Sequence, residues 1–228
     1  MKTLDHVALW VADRDTIAAI LTEQIGMHVI ERTDTFTLVG ADARRGKLTL
    51  FDAEGPRNAG SLVHVGLRVP SLDEALARIQ LPVLKSRFDA HMQLPEGLEL
   101  VLVEGETQAA VDLDHVALAC TDPQACAAAW AELGFKRVAP GPSGAERVEV
   151  GGAFLELRRE LPEATERPLL NHLAVLVDSA EEWRQTAADH GHEVAEVKDA
   201  PNTYAVFVRG PEGVLLEYVE HKPSFSLV

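Results

Sequence analysis

The chain has 228 residues, of which 46% are hydrophobic and 25% charged, ordinary proportions for a globular protein. Its 36 acidic residues outnumber the 21 basic ones, and the net charge of −15 argues against nucleic acid or an anionic membrane as a partner. Cys120 and Cys126 match no metal motif or disulfide framework, no apolar run is long enough to cross a membrane, and no signal peptide precedes the first repeat. We therefore expect a cytoplasmic protein with reduced cysteines and a small-molecule partner.

One short motif occurs four times, and each copy places a His inside an apolar run. His6 and His115 are 109 residues apart, and His64 and His172 are 108 residues apart. Unrelated strands seldom agree so closely, so the spacing indicates a tandem duplication of a unit that is itself double. The copies, called the His motifs, are Leu4-Asp5-His6-Val7-Ala8-Leu9, Leu62-Val63-His64-Val65-Gly66-Leu67, Leu113-Asp114-His115-Val116-Ala117-Leu118 and Leu170-Asn171-His172-Leu173-Ala174-Val175.

The first half of the chain is predicted to contain two modules of the order β-α-β-β-β. In module 1, Asp13 and Asp15 supply N-cap chemistry for the helix, and Gly26 stands where a C-cap glycine is preferred. In module 2, Ser71 caps a helix that extends to about Ile79. The predicted strands cover residues 3–11, 27–33, 35–40 and 47–53 in module 1, and residues 62–69, 83–87, 88–94 and 98–103 in module 2.

The second half repeats this order after a polar segment, residues 104–110, which has no apolar period and is predicted to be a linker. Asp122 caps the helix of module 3, with Pro123 at its first position. The helix of module 4 is predicted from Ser179 to about His190. The predicted strands cover residues 112–119, 135–139, 145–150 and 152–158 in module 3, and residues 170–177, 192–198, 203–209 and 213–220 in module 4.

These modules predict an α+β fold of two cup-shaped domains. Each small sheet has one face that needs covering, so two modules together form an open cup with the helices outside. We expect modules 1 and 2 to form an N-terminal domain over residues 1–106. Modules 3 and 4 are expected to form a C-terminal domain over residues 107–228.

Two carboxylates stand in the closing strands of the second half. Glu156 and Glu217 each follow a turn glycine by four residues and lie among apolar neighbours. Burying a carboxylate among apolar side chains costs free energy unless the carboxylate is paired with a cation or bound to a metal. The same offset in modules 1 and 2 falls on Leu50 and Val101, so the first half has the histidines without the carboxylates.

These residues predict one metal site in the C-terminal domain. Strand side chains alternate between faces, so each motif His shares its face with small or apolar neighbours that leave room for a ligand. His115, Glu156, His172 and Glu217 are the predicted ligands. Two imidazoles and two carboxylates suit one divalent Zn, Ni, Co, Mn or Fe(II) ion better than Ca or Mg. Such an ion keeps open positions for two neighbouring oxygens of a substrate.

Other residues are assigned smaller roles. His6 and His64 lack a carboxylate partner, and we interpret them as hydrogen-bonded core residues. Arg158 and Tyr204 are predicted to face the cup and bind substrate, with Arg158 holding an anionic group. Glu156 is also a candidate base beside an ion with three ligands.

These residues make the chain resemble the vicinal oxygen chelate superfamily, which includes glyoxalases, bleomycin resistance proteins and extradiol dioxygenases. The resemblance rests on the His motifs, on the helix end at residues 130–135 and on the closing strands around Glu156 and Glu217. It covers nearly the whole chain and implies two tandem cup domains and a metal-dependent enzyme. The fold hosts several chemistries, so the resemblance alone does not select one.

Two branches of that superfamily imply different reactions. The glyoxalase I and methylmalonyl-CoA epimerase branch implies four ligands and lyase or isomerase proton transfer next to a carbonyl, which is the function we favour from the sequence. The extradiol dioxygenase branch implies Fe(II) on His115, His172 and Glu217, but Phe207 stands where that branch has a Tyr. A non-catalytic protein that binds a ligand, like the bleomycin resistance proteins, is the third alternative. A homodimer is one possible assembly.

Overall fold

The computed structural model describes residues 2–42, 45–107, 109–141 and 143–225. Within these residues the chain forms sixteen β-strands and four α-helices. They are arranged as four β-α-β-β-β modules, so the predicted α+β fold is confirmed. Gln108, part of the predicted linker, lies outside the described residues.

The elements of the four modules follow the predicted order. Module 1 contains β1 (Thr3–Val11), α1 (Arg14–Ile20), β2 (His28–Arg32), β3 (Phe36–Asp42) and β4 (Arg45–Asp52). Module 2 contains β5 (Leu62–Val69), α2 (Leu72–Leu76), β6 (Val83–Lys85), β7 (Asp89–Gln93) and β8 (Glu99–Glu104). Module 3 contains β9 (Asp112–Cys120), α3 (Pro123–Glu132), β10 (Lys136–Val138), β11 (Glu146–Val150) and β12 (Ala153–Arg159). Module 4 contains β13 (Leu170–Leu176), α4 (Ala180–Asp189), β14 (Val194–Asp199), β15 (Thr203–Arg209) and β16 (Leu215–His221).

Each helix begins directly after a residue predicted to cap it or, for Ser179, predicted to be its first residue. The side chains of Asp13, Ser71, Asp122 and Ser179 each accept a hydrogen bond from a backbone N–H of the first turn. The helix of module 2 ends at Leu76 and is shorter than predicted. Within the described part of the chain, no helix is long and apolar enough to cross a membrane.

The modules do not pair as predicted. Module 1 shares one eight-stranded sheet with module 4, in the order β14-β15-β16-β13-β1-β4-β3-β2. Module 2 shares the other with module 3, in the order β10-β11-β12-β9-β5-β8-β7-β6. The prediction that modules 1 and 2 form one domain and modules 3 and 4 the other is therefore wrong. We call modules 1 and 4 the outer domain and modules 2 and 3 the inner domain.

The lengths of the connections between modules agree with this pairing. The shortest connection, residues 105–111, joins β8 to β9 and stays within the inner domain. The longer connections, residues 53–61 and 160–169, both cross between the domains and contact each other. The N–H of Leu169 donates to the carbonyl of Asn58 at 2.6 Å, and Nδ2 of Asn58 donates to Glu163 at 2.6 Å. The polar segment 104–110 does join two modules, but the domain boundary predicted there is wrong, because both modules lie in the inner domain.

The opening strands of the modules form the centre of each sheet. β1 pairs antiparallel with β13, which sets His6 opposite Ala174 and Ala8 opposite His172. In the inner domain β5 pairs in the same way with β9, and Gly66 stands opposite His115. Each His therefore faces a small residue on the neighbouring strand. This register lets two histidines from different modules approach each other on the concave face of each sheet.

Candidate metal centre

Three metal-ligating side chains converge in the outer domain. His6 comes from β1, His172 from β13 and Glu217 from β16, and one ligand atom of each lies within 4.8 Å of the others. His172 and Glu217 are buried, and His6 is half-buried. The sequence predicted His172 and Glu217 as ligands but assigned His6 to the core.

The spacing of the three donor atoms suits a single ion. Nε2 of His6 lies 3.0 Å from Nε2 of His172. Oε2 of Glu217 lies 2.9 Å from Nε2 of His172 and 3.3 Å from Nε2 of His6. Ligand atoms that hold a transition metal at about 2.1 Å and at right angles are roughly 3 Å apart. The donor set therefore fits one face of an octahedral site, with the opposite face left for other ligands.

Both imidazoles are held through Nδ1, which directs Nε2 towards the other ligands. Nδ1 of His6 donates to Oδ2 of Asp5 at 2.8 Å, because a carboxylate can only accept. The buried Nζ of Lys47 donates to the other oxygen of Asp5 at 2.9 Å. Nδ1 of His172 lies 3.1 Å from Oδ1 of Asn171. Partners of this kind fix the orientation of a metal-binding imidazole and raise its basicity.

Hydrogen bonds within the cluster oppose the effect of burial on charge. Burial lowers the pKa of His6, but hydrogen bonds to Asp5 and Glu217 outweigh it and raise this pKa to about 9. Burial also works to raise the pKa of Glu217, but hydrogen bonds to His172 and His6 hold that pKa well below its usual range. Burial lowers the pKa of His172. At neutral pH the cluster therefore carries a proton on His6 beside an ionised Glu217, and a bound cation would replace that proton.

The cluster lines an open cleft of 340 Å³ on the concave face of the outer sheet. Two aromatic rings flank His172, with Phe207 at 5.2 Å and Phe51 at 6.3 Å between ring centroids. The cleft is thus apolar around a polar centre, which is typical of small-molecule sites. Its other lining residues are Asp5, Glu31, Phe36, Leu38, Lys47, Thr49, Lys198, Ala200, Asn202, Thr203, Val219, His221 and Phe225.

Thr49 occupies the position in module 1 that corresponds to Glu217 in module 4. Glu217 pairs with Ala174, two residues after the motif His, and Thr49 pairs with Ala8 in the same way. Counting from the turn glycine had pointed to Leu50, which is fully buried in the core. The strand register shows that the count was off by one. A hydroxyl rather than a carboxylate therefore faces the three ligands from β4.

The structure separates the four predicted ligands. His172 and Glu217 lie in the outer sheet, whereas His115 on β9 and Glu156 on β12 lie in the inner sheet. The prediction of one site built from all four residues is therefore wrong. Its error follows from the module pairing, because module 3 faces module 2 and not module 4.

The inner-domain cluster does not fit a metal ion. Both oxygens of Glu156 accept hydrogen bonds from arginines, from Nη2 of Arg147 at 2.8 Å and from Nε of Arg158 at 3.0 Å. The two guanidinium charges repel a cation at close range. Nε2 of His115 lies 2.8 Å from Nε2 of His64. Among the described residues, this domain contains no set of three metal-ligating side chains with the required proximity.

The two predicted substrate-binding residues are not in the outer-domain cleft. Arg158 does face a cleft, but that of the inner domain. Tyr204 points to the helical side of its sheet, where its hydroxyl donates to Glu181 of α4 at 3.1 Å. Thr203 faces the cleft instead, because neighbouring strand residues point to opposite faces.

Comparison with known families identifies the class of protein. The model of the Glyoxalase/Bleomycin resistance protein/Dioxygenase superfamily matches residues 3–81 and 112–218, and the chain belongs to this superfamily. The matched segments begin with the opening strands of modules 1 and 3, as expected for a duplicated unit. The superfamily predicted from the sequence is confirmed. No curated protein matches the chain in sequence.

Solved structures share the fold at low sequence identity. A glyoxalase I variant from Zea mays superposes with a TM-score of 0.80 at 16% identity, covering 96% of this chain and 92% of that one. A candidate dioxygenase from Bacillus subtilis gives 0.78 at 18% identity, covering 96% and 85%. The cppA protein of Streptococcus pneumoniae gives 0.62 at 14% identity, covering 96% and 100%. At these identities the likeness establishes the fold alone.

Proposed function

We propose that the chain is a metal-dependent enzyme that holds one divalent transition metal on His6, His172 and Glu217. In this proposal a small substrate chelates the metal through two neighbouring oxygens. The observation that carries it is the convergence of three donor atoms from three strands, spaced 2.9–3.3 Å apart. The Asp5–Lys47 pair behind His6 supports it, because buried charges of this kind are typical of a built site.

This ligand set favours an Fe(II)-dependent dioxygenase. Two histidines and one carboxylate on one face, with the other positions open, form the ligand set of non-haem Fe(II) oxygenases. When bound, Fe(II) would supply Lewis-acid and redox chemistry for the substrate and O2. The lyase or isomerase function favoured from the sequence depended on four ligands at one ion. The structure does not provide four ligands, because Thr49 stands at the fourth position and Glu156 lies in the other domain.

The side chains of the cleft favour a planar aromatic substrate. Phe51 and Phe207 stand on either side of His172 and provide apolar walls against which a ring can pack. A catechol, a flat ring with two adjacent hydroxyls, matches both the aromatic walls and the open face of the ligand set.

A catechol hydroxyl must lose its proton when it binds a metal, and the cleft offers acceptors for it. Phe207 carries no hydroxyl and cannot take part. Apart from the ligands and the Asp5–Lys47 pair, the titratable side chains that line the described cleft are Glu31, Lys198 and His221. An ammonium such as that of Lys198 only donates, so we assign the proton-accepting role to Glu31 and His221.

Metal content measured by mass spectrometry tests the proposal. Protein purified without added metal should contain close to one transition-metal ion per chain, and His6→Ala and Glu217→Ala should lose it. The matched controls are His64→Ala and Glu156→Gln, which change the equivalent residues of the inner domain and should retain the metal. A wild-type protein that neither contains a metal nor takes one up on reconstitution would refute the site.

Oxygen uptake separates the two reactions. Reconstitution with Fe(II) should give catechol-dependent oxygen consumption that is absent in Glu217→Ala. Tight binding of Zn, Ni or Co, without any catechol-dependent oxygen consumption by the Fe(II) form, would contradict the dioxygenase and favour proton-transfer chemistry at the same three ligands.

A further inference from the structure

The inner domain has its own cleft, of 460 Å³, at the position that corresponds to the metal site of the outer domain. His64 and His115 occupy the places of the two histidines, and Glu156 that of the carboxylate. The chemistry of this cleft differs, because Arg147 and Arg158 also line it. The duplication has thus produced two clefts of similar construction and different charge.

The arginines reach further into this cleft than the carboxylate between them. The side chain of Glu156 is 5% exposed, whereas those of Arg147 and Arg158 are 21% and 31% exposed. Each arginine uses one N–H to bond Glu156, and a guanidinium has several more to offer. The positive charges of the two arginines face the single buried negative charge of Glu156, so the two arginines can bind a second anion.

The other acidic side chains of the wall are already engaged. Asp114 accepts from Arg68 Nε at 2.7 Å and lies 2.8 Å from Nδ1 of His115. Glu104 accepts from the backbone N–H of Leu72 at 2.9 Å. Asp89 accepts from Oγ of Ser86 and lies 3.7 Å from Nε2 of His91. These carboxylates therefore do not take up the free donors of the arginine pair.

Two buried polar atoms at this cleft lack a partner within the described residues. They are Nε of Arg147 and Nδ1 of His64, whose residue is only 1% exposed. A buried polar group without a hydrogen bond is destabilising, so the position of these two atoms favours a ligand at this cleft.

The guanidinium of Arg147 is held in place by a stack of flat groups. Its Cζ lies 4.1 Å from the ring centroid of Phe154, and that ring stacks on His115 at 5.0 Å. Gly141 also lies close to this group, because an added Cβ there would come within 2.2 Å of the same Cζ. A larger residue at position 141 would therefore displace the guanidinium. The side chain is therefore ordered before any ligand arrives, which lowers the entropic cost of binding.

We infer that this cleft is a metal-free binding site for a small organic carboxylate, held by Arg147 and Arg158. The forked guanidinium matches the two oxygens of a carboxylate, and the contact to Glu156 shows the pair already binding that group. The apolar part of the ligand would pack against Val101 and Phe88, a side chain that is 70% exposed at the opening. This site is independent of the metal centre proposed above.

Calorimetric titration with benzoate tests this assignment. The experiment uses the whole 228-residue chain with a chelator present, so that metal binding in the outer domain does not contribute. Benzoate should bind saturably, at millimolar dissociation constants or tighter. Benzamide, which has the same shape without the charge, should bind at least tenfold more weakly. Arg147→Gln and Arg158→Gln should each weaken benzoate binding about tenfold, as loss of a charge-assisted hydrogen bond predicts.

Arg159→Gln is the matched control, because that side chain is 71% exposed and lies near Asp122 at the surface. It should bind benzoate as the wild type does. Circular dichroism verifies that each variant is folded, and the more exposed Arg158 provides a second test if Arg147→Gln does not fold. Absence of saturable benzoate binding would overturn the inference. Equal binding of benzamide and benzoate would also overturn it. The same holds for benzoate binding that survives both arginine changes and is lost in His6→Ala.

Discussion

Glu96 and Glu212 stand at equivalent positions in two Pro-Glu-Gly turns, and each reaches across to the other domain. Glu96 accepts from the N–H of Ala12 at 2.9 Å and of Asp13 at 2.7 Å, next to the start of α1. Glu212 accepts from the N–H of Thr121 at 2.7 Å, next to the start of α3. Both glutamates have a positive φ, of 63° and 53°. These two residues therefore join the domains through the beginnings of two helices.

Replacing Glu96 by Ala should lower the free energy of unfolding by about 1–2 kcal/mol, because two charge-assisted hydrogen bonds to a helix start are lost. Glu96→Gln keeps an acceptor and should have a smaller effect. Urea denaturation measures both. Glu23→Ala serves as the control, because Glu23 is exposed in the π-helical turn Leu21–Ile25 that follows α1. Equal stability of Glu96→Ala and Glu23→Ala would show that the contact contributes nothing.

Asp5 should matter for metal affinity although it is not a ligand. Asp5→Asn removes the charge that orients His6 and that pairs with the buried Lys47. Loss of such a supporting carboxylate typically weakens metal binding by about 10–100-fold. Competition with a chromophoric chelator measures this affinity. Asp114→Asn changes the carboxylate that holds Nδ1 of His115 in the inner domain and should leave the affinity unchanged, and an equal loss in both variants would count against the proposed site.

The raised pKa of His6 predicts how the metal-free protein responds to pH. The pKa is about 9 in the folded chain against an ordinary value of 6.5, so protonation favours the folded state. This contribution is fully present below pH 6.5 and is lost as the pH rises to about 9. The loss should be on the order of 3 kcal/mol, measured by denaturation in the presence of a chelator.

Metal affinity should change in the opposite direction over the same range. The ion must displace the proton on His6, so affinity increases with pH up to about 9, by roughly tenfold per unit. Asp5→Asn removes a hydrogen bond that raises this pKa and should move both transitions to lower pH. A metal affinity that does not vary between pH 6.5 and 9 would contradict the protonated state of His6.

Gly66→Ala should disturb the inner domain selectively. An added Cβ would lie 2.3 Å from the ring of His115, and that ring is held between its contacts to Asp114 and Phe154. Such overpacking typically costs about 1–3 kcal/mol. Denaturation should show this loss, while metal affinity in the outer domain remains unchanged. Ala8→Gly, at the equivalent position opposite His172, is the reciprocal change and should lower stability by about 1 kcal/mol.

Local features of the sequence were sufficient to predict the helices and strands, because the formation of each helix or strand depends on residues that are close in the chain. The helix starts at Asp122 and Ser179 follow from capping chemistry, and His172 and Glu217 follow from apolar strands that contain a polar residue. The partner of each module could not be predicted in this way. All four opening strands present the same motif, so local pattern favours no pairing over another. The role of His6 was missed for that reason, because its carboxylate comes from the far end of the chain.

The nested arrangement of the modules also has a consequence for synthesis. Modules 2 and 3 are neighbours in the chain, so the inner domain can close once residues up to Arg159 have left the ribosome. β1 emerges first but must wait for β13, since Thr3 pairs with Leu176. Until then one edge of an apolar strand stays open to pairing with other chains. A nascent chain that stops after module 3 would therefore contain a folded inner domain and an unpaired module 1 that is prone to aggregation.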